Sequence, residues 1–224
     1  GDVYKRQSQT EPERTTMTFR VENVVTSGLF KLDGGEWEVD NNVWIVGDDS
    51  EVYIIDAAHD ANAIAAAVGD RRVKGIIATH GHSDHIDAAP ELSRLVNAPV
   101  YLHPTDGFLW QRENPNAQYE QLVDGTTFQI AGTDLKVLST PGHSPGSVVV
   151  YAQEAGELFS GDTLFQGGPG ATGRSFSSFD TIIHSLQTSV LDLPTETVVR
   201  TGHGDHTTIG AEAPHLEEWI RRGF

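Results

Sequence analysis

Four side chains able to hold a metal fall within six residues of this chain: His80, His82, Asp84 and His85, directly behind the largely apolar run Val73–Ala78. Imidazole and carboxylate are ligands that zinc, iron and manganese accept, and a strand ending in a turn can point several of them at one spot. An isolated histidine is ordinarily a surface or satisfied core residue; three with an aspartate at this density are not. Three more candidates follow, each beside glycine or proline at the end of a β-like run: His143 in Thr-Pro-Gly-His-Ser-Pro-Gly, Asp162 in Phe-Ser-Gly-Asp-Thr and His203 in Thr-Gly-His-Gly-Asp. Seven ligands are enough for two divalent ions. Zinc is the expected metal, with iron or manganese as alternatives.

Composition narrows the setting. A chain of 224 residues suits one domain with a substantial core. A formal charge of −17 argues against nucleic acid or an anionic membrane as partner. No apolar run approaches the length of a bilayer span, and residues 1–18 lack the apolar stretch of a secretory signal, so a cytoplasmic location is expected. The absence of cysteine rules out a disulfide framework. Gly1–Gln7 resembles a translated sequencing adapter, and Ser8–Thr16 is polar without periodicity. Residues 1–16 are therefore expected to be a disordered or non-native extension before a natural start at Met17, with 17–224 as a single domain.

Short β-like runs occur at Val21–Phe30, Asn42–Val46, Glu51–Ile55, Val73–Ala78 and Val100–His103, then at Phe128–Ile130, Leu135–Leu138, Val148–Tyr151, Leu158–Ser160 and Thr197–Arg200. Ala61–Val68 behind Asp60 reads as a capped helix. Residues 84–96 have helical spacing that turns Ile86, Ala89, Leu92, Leu95 and Val96 inward; Phe179–Leu191 and Ala213–Arg222 read as further helices. Strands in each half with helices between them predict an α/β fold, two sheets packed face to face with helices outside.

The ordered series His80-x-His82-x-Asp84-His85, His143, Asp162, His203 resembles the metallo-β-lactamase superfamily from about residue 20 to the C-terminus. The resemblance implies the αββα topology with two mixed β-sheets. It implies His80, His82 and His143 around a first metal, Asp84, His85 and His203 around a second, Asp162 bridging both, and Asp56 buried behind them as a support. Within the superfamily, flavodiiron proteins carry glutamate in place of His82, B1 lactamases need a cysteine, and B3 lactamases lack the bridging aspartate. The glyoxalase II-like group remains, and Gly173-Arg174-Ser175 is similar to its Gly-Arg-Thr/Ser element. With about twenty residues after His203, glutathione recognition by a C-terminal helical domain is not expected.

Two metals sharing a water lower its pKa toward neutrality, which makes a bridging hydroxide the expected nucleophile. Asp84 is the expected catalytic residue, orienting that hydroxide and shuttling its proton. A thioester or ester is the natural target, because its leaving group needs little protonation. The expected substrate is thus a small-molecule thioester or ester, including conjugates of a thiol carrier, handled by a monomer or homodimer. A mono-iron persulfide dioxygenase using His80, His143 and Asp162 is the alternative, and a lactonase a further one. Arg174 is the candidate grip for a substrate carboxylate, against an ordinary surface role. Gly167–Gly173 reads either as a bare turn or as a backbone-amide cradle for an anion. His59, His103, His184, His206 and His215 read as surface or packing residues, with His206 near enough to His203 to line a pocket. Tyr101, Trp110 and Tyr119 read as core packing rather than cleft walls.

Overall fold

Alternate residues along the strands face two different cores, and that alternation builds four layers. In the computed structural model of the protein, residues 18–224 are described, so the expected extension at 1–16 lies outside the described residues. Strands β1 (Arg20–Leu32), β2 (Gly35–Gly47), β3 (Glu51–Ile55), β4 (Arg72–Ile77), β5 (Val100–Leu102) and β6 (Glu120–Gln121) form a first sheet in chain order. It is antiparallel as far as β3 and parallel thereafter. Strands β7 (Thr127–Ile130), β8 (Thr133–Ser139), β9 (Val148–Ala152) and β10 (Glu157–Gly161) begin the second sheet. After a ribbon of β11 (Leu164–Phe165) and β12 (Gly168–Pro169), β13 (Val198–Thr201) and β14 (Thr207–Thr208) complete it in the order β14-β13-β10-β9-β8-β7. The β10–β13 pair is parallel and the others antiparallel, so both sheets are mixed.

Parallel neighbours need crossovers, and helices supply them. These are α1 (Ala61–Val68), α2 (Ser83–Ile86), α3 (Ala89–Val96) and α4 (Gly107–Glu113) in the first half and α5 (Phe179–Ser189) in the second; α6 (Ile209–Glu212) and α7 (Leu216–Arg222) follow the last strand. Val43, Ile45, Val52 and Ile54 pack outward on Ile64 of α1, Leu92 of α3 and Trp110 of α4. Their neighbours Trp44, Val46, Tyr53 and Ile55 point the other way and meet Val137, Val148, Val150 and Phe159 of the second sheet. Val149, Tyr151, Leu158 and Val199 then pack on Ile182 and Leu186 of α5 and Trp219 of α7. Three apolar cores thus separate helix, sheet, sheet and helix, which is the expected αββα sandwich.

Several boundaries differ from expectation. The β1–β2 hairpin extends to Leu32 and Gly35, well beyond the expected 42–46 run, because its outer half is mostly exposed, with Leu32 buried and Phe30 and Val39 only half-buried, and so carries a weak burial signal. The expected helix over 84–96 is two helices. The break falls at Asp87–Ala88, and Pro90 sits in the first turn of α3, where its missing N–H is not needed. Leu95 is exposed rather than inward, since α3 ends one residue later. The closing helix shortens to α7, after a 3₁₀ turn at Ala213–His215 that contains Pro214. Helices α4 and α6 lie where no helix was expected. The cap on α1 is as expected, with Asp60 Oδ1 accepting from Ala63 N at 3.0 Å.

Candidate metal centre

All seven expected ligands sit at the ends of strands where the two sheets meet. The chain leaving β4 carries His80 and His82 into α2, whose first turn presents Asp84 and His85. His143 lies between β8 and β9, Asp162 follows β10, and His203 follows β13. Glycine is required beside the last of these: a Cβ on Gly202 would fall onto Asp162 Oδ1 and 2.9 Å from His85 Cε1.

The side chains converge in overlapping sets. One donor atom from each of His80, His82 and His143 falls within a 4.8 Å span, and the same holds for His80, His85 and Asp162, and for Asp84, His85 and His203. Asp162 stands between the groups. Its Oδ2 is 3.4 Å from His143 Nε2, 3.3 Å from His203 Nε2 and 3.8 Å from His80 Nε2, while its Oδ1 is 3.3 Å from His85 Nε2. Asp84 Oδ2 lies 3.1 Å from His203 Nε2 and 3.3 Å from His85 Nε2.

Hydrogen bonds from behind fix which nitrogen faces inward. His85 Nδ1 donates to Asp56 Oδ2 at 2.8 Å, His143 Nδ1 to the Ala171 carbonyl at 2.8 Å and His203 Nδ1 to the Asp40 carbonyl at 2.8 Å. Thr79 Oγ1 donates to Asp56 Oδ2 at 2.8 Å and lies 3.0 Å from His80 Nδ1, whose hydrogen it accepts. Each of these four rings therefore turns an Nε2 lone pair toward the centre. His82 differs, placing Nδ1 3.1 Å from His143 Nε2. The Nε2 atoms of His80, His82 and His85 and Oδ1 of Asp162 are buried with no hydrogen-bond partner among the described residues. Stranding such atoms costs about 1–3 kcal/mol each, and a divalent cation would satisfy the inward-facing ones together. The donor set, nitrogen and carboxylate oxygen, suits zinc, iron or manganese.

The electrostatics agree. Burial, reinforced by His85, holds His80 well below the ordinary histidine range, and burial beside His143 lowers His82 to about 3. Burial opposes charge on His85 and His203 too, but the carboxylates win: Asp162, Asp84 and Asp56 raise His85 well above its usual value, and Asp162 carries His203 up to about 10. Burial pushes Asp84 and Asp162 upward, yet His85 and His203 hold both well below the usual carboxylate range. With no metal, the cage draws in protons to balance its carboxylates; it calls for positive charge.

Three supports escaped the sequence reading. Buried Asp106 accepts from Gly81 N at 2.8 Å, Ser144 Oγ at 2.6 Å and Gly146 N at 2.6 Å, tying the His80–His82 loop to the His143 loop. Thr79 anchors both oxygens of Asp56, which itself adopts a left-handed φ of 62°. Asn41 donates to Asp84. Of the remaining histidines, His184, His206 and His215 are exposed, and His206 does not line the cavity over the cage as the sequence allowed. His103 caps a short turn through Thr105 N, while His59 is enclosed. Trp110 stacks on Tyr119 and Tyr101 on Phe128, as core packing requires. The amide-cradle reading of Gly167–Gly173 fails at two positions: Gly167 N donates to Glu212 and Gly170 N to the Thr163 carbonyl. Arg174 does reach the cavity, its guanidinium 3.9 Å over the Trp37 ring and 5.5 Å from Phe30.

Comparison with known proteins bears on this arrangement directly. Residues 37–203 match the family described as the metallo-beta-lactamase superfamily. Hydroxyacylglutathione hydrolase GloC of Haemophilus influenzae is 30% identical over 181 residues, covering 74% of this chain and 85% of that protein. The crystal structure of TTHA1623 in a di-iron-bound form superposes with a TM-score of 0.70 at 31% identity, over 78% of this chain and 93% of that one. The BLEG-1 B3 metallo-beta-lactamase superposes with a TM-score of 0.69 at 30% identity, over 85% and 98%. The matched span takes in every one of the seven converging side chains, and the chain belongs to the metallo-β-lactamase superfamily.

Proposed function

We propose that the chain is a dinuclear-metal thioester hydrolase of the glyoxalase II-like kind. The observation that carries this reading is the cage: two ligand sets sharing the space around Asp162, with buried donor atoms that no other group among the described residues satisfies. His80, His82 and His143 would hold one divalent ion, Asp84, His85 and His203 the other, and Asp162 both. Bound there, the pair would supply an activated water and polarise the substrate carbonyl. The chain's own residues do the rest. Asp84, fixed by its hydrogen bonds, is placed to orient the attacking water and to take its proton. A cavity of about 170 Å³ over the cage is walled by Phe30, Val39, Phe165 and Ala171, which suits a small acyl group and limits access of bulk water. A larger cleft of about 430 Å³, lined by Lys31, Glu36 and Arg112, shares His82 with it and leaves room for a thiol carrier. Similarity to GloC supports a thioester, and the di-iron-bound form of TTHA1623 makes iron a metal to test for beside zinc.

Elemental analysis of protein purified without added metal is expected to find two equivalents per chain, with hydrolysis of a small-acyl thioester. One iron and oxygen uptake with a persulfide would replace this reading with a dioxygenase. Turnover of β-lactams without thioesterase activity would replace it with a lactamase.

Arg174 offers a finer test. Stacking on Trp37 fixes its guanidinium at the cavity wall. An Arg174→Ala substitution is expected to cost roughly ten- to a hundredfold in kcat/KM for an acyl group bearing a carboxylate, mostly through KM, and little for a neutral one. Equal losses for both substrates would show that the arginine only holds its loop against the hairpin.

A further inference from the structure

Behind Asp84 a row of polar side chains, none of which lines the cavity, runs to Asp87 at the end of α2. Asn41 is wholly buried, and its Nδ2 donates both to the Asp84 carbonyl at 3.1 Å and to Asp84 Oδ2 at 3.0 Å. That second acceptor is the oxygen facing His85 and His203. With its amide nitrogen committed, Asn41 turns Oδ1 outward, 2.9 Å from His59 Nε2. The other ring nitrogen of His59 lies 2.8 Å from Asp87 Oδ2, and the His59 backbone N–H donates to Asp87 Oδ1 at 2.6 Å.

The ring is gripped. Its side chain is 3% exposed, its backbone holds a left-handed φ of 65°, and β1 passes so close that a Cβ on Gly28 would lie 2.6 Å from the imidazole Cγ. A histidine used only for packing has no need of hydrogen bonds at both nitrogens or of a strained backbone. Here both nitrogens face acceptors, and the row ends on Asp84, at its backbone carbonyl and one carboxylate oxygen.

We infer that His59 is a positioning residue for Asp84, acting through Asn41: it holds the asparagine amide so that Asp84 Oδ2 stays aimed between His85 and His203. The inference rests on reading Asp84, His85 and His203 as a metal site. It singles out that ion, because His80, His82 and His143 receive no support from this row.

His59→Asn is the informative substitution, since asparagine tolerates a left-handed backbone yet is too short to reach Asn41 while keeping Asp87. The full chain, stripped of metal and titrated with cobalt(II) alone, is followed by visible absorption. The first equivalent is expected to bind as in the parent, and the second roughly ten- to a hundredfold more weakly. The melting temperature of the metal-free protein should be unchanged, and kcat should fall with KM held. Asn41→Ala is expected to reproduce the effect, and the double variant to be no worse than either single one. Variants that bind both equivalents like the parent, or effects of the two substitutions that simply add, would overturn the proposal. So would a His59→Asn chain that fails to fold or loses both equivalents alike, because the histidine would then be holding the fold. A parent chain that takes up no second equivalent overturns the metal reading itself, and this inference with it.

Discussion

An Asp162→Ala protein is expected to lose both metal equivalents and about three orders of magnitude in thioesterase rate, roughly 4 kcal/mol of transition-state stabilisation. Among the described residues no other carboxylate reaches histidines of both ligand sets: its two oxygens lie 3.3–3.8 Å from His80, His85, His143 and His203. The change also leaves His85 and His203 without the carboxylate that dominates their charge balance. Elemental analysis beside a thioester assay checks it, and full occupancy of both sites in the variant would remove Asp162 from its bridging role. Loss of fold is not expected, since Asp162 sits after β10 rather than within a sheet core.

The cage was legible in the sequence because its ligands are chemically distinctive and sit next to glycines. His80, His82, Asp84 and His85 are adjacent, and Gly142, Gly161 and Gly202 each precede one of the remaining three. Asp56 was legible through the family resemblance. The layering was legible too, since Val43-Trp44-Ile45-Val46 and Val52-Tyr53-Ile54-Ile55 divide their side chains between two cores. What stayed hidden depends on distance along the chain. Asp106, in Pro-Thr-Asp-Gly, reads as an ordinary turn residue; its partners are 25 to 40 residues away. Asn41 sits in a stretch whose charges mask its strand, and its bond to Asp84 spans 43 positions. Hydrogen bonds of that reach leave no periodicity to read.

Asp106→Ala is expected to destabilise the protein by about 3–5 kcal/mol, on the order of 10 °C in melting temperature. The substitution strands two backbone N–H groups in a site with no exposed surface and takes one of two partners from the Ser144 hydroxyl, leaving it Ser147 Oγ at 2.7 Å. It also unties the two loops that present His82 and His143, so metal affinity should fall with stability even though Asp106 touches no ligand atom. Thermal unfolding with and without metal separates the two effects. A variant that melts like the parent would mean that water replaces the carboxylate without loss.

The cage and the wall of the cavity come from different parts of the architecture. The ligands hang from the ends of two six-stranded sheets, where neighbouring strands on both sides fix the backbone. Phe30, Trp37 and Val39 stand instead on the outer half of the β1–β2 hairpin, where each strand is paired only with the other. Substitutions at these three positions disturb none of the hydrogen bonds that orient the ligands and remove little buried core. Selection can therefore reshape the pocket one residue at a time while the cage stays intact. A lineage built on this plan can change what the pocket admits without dismantling the cage beneath it.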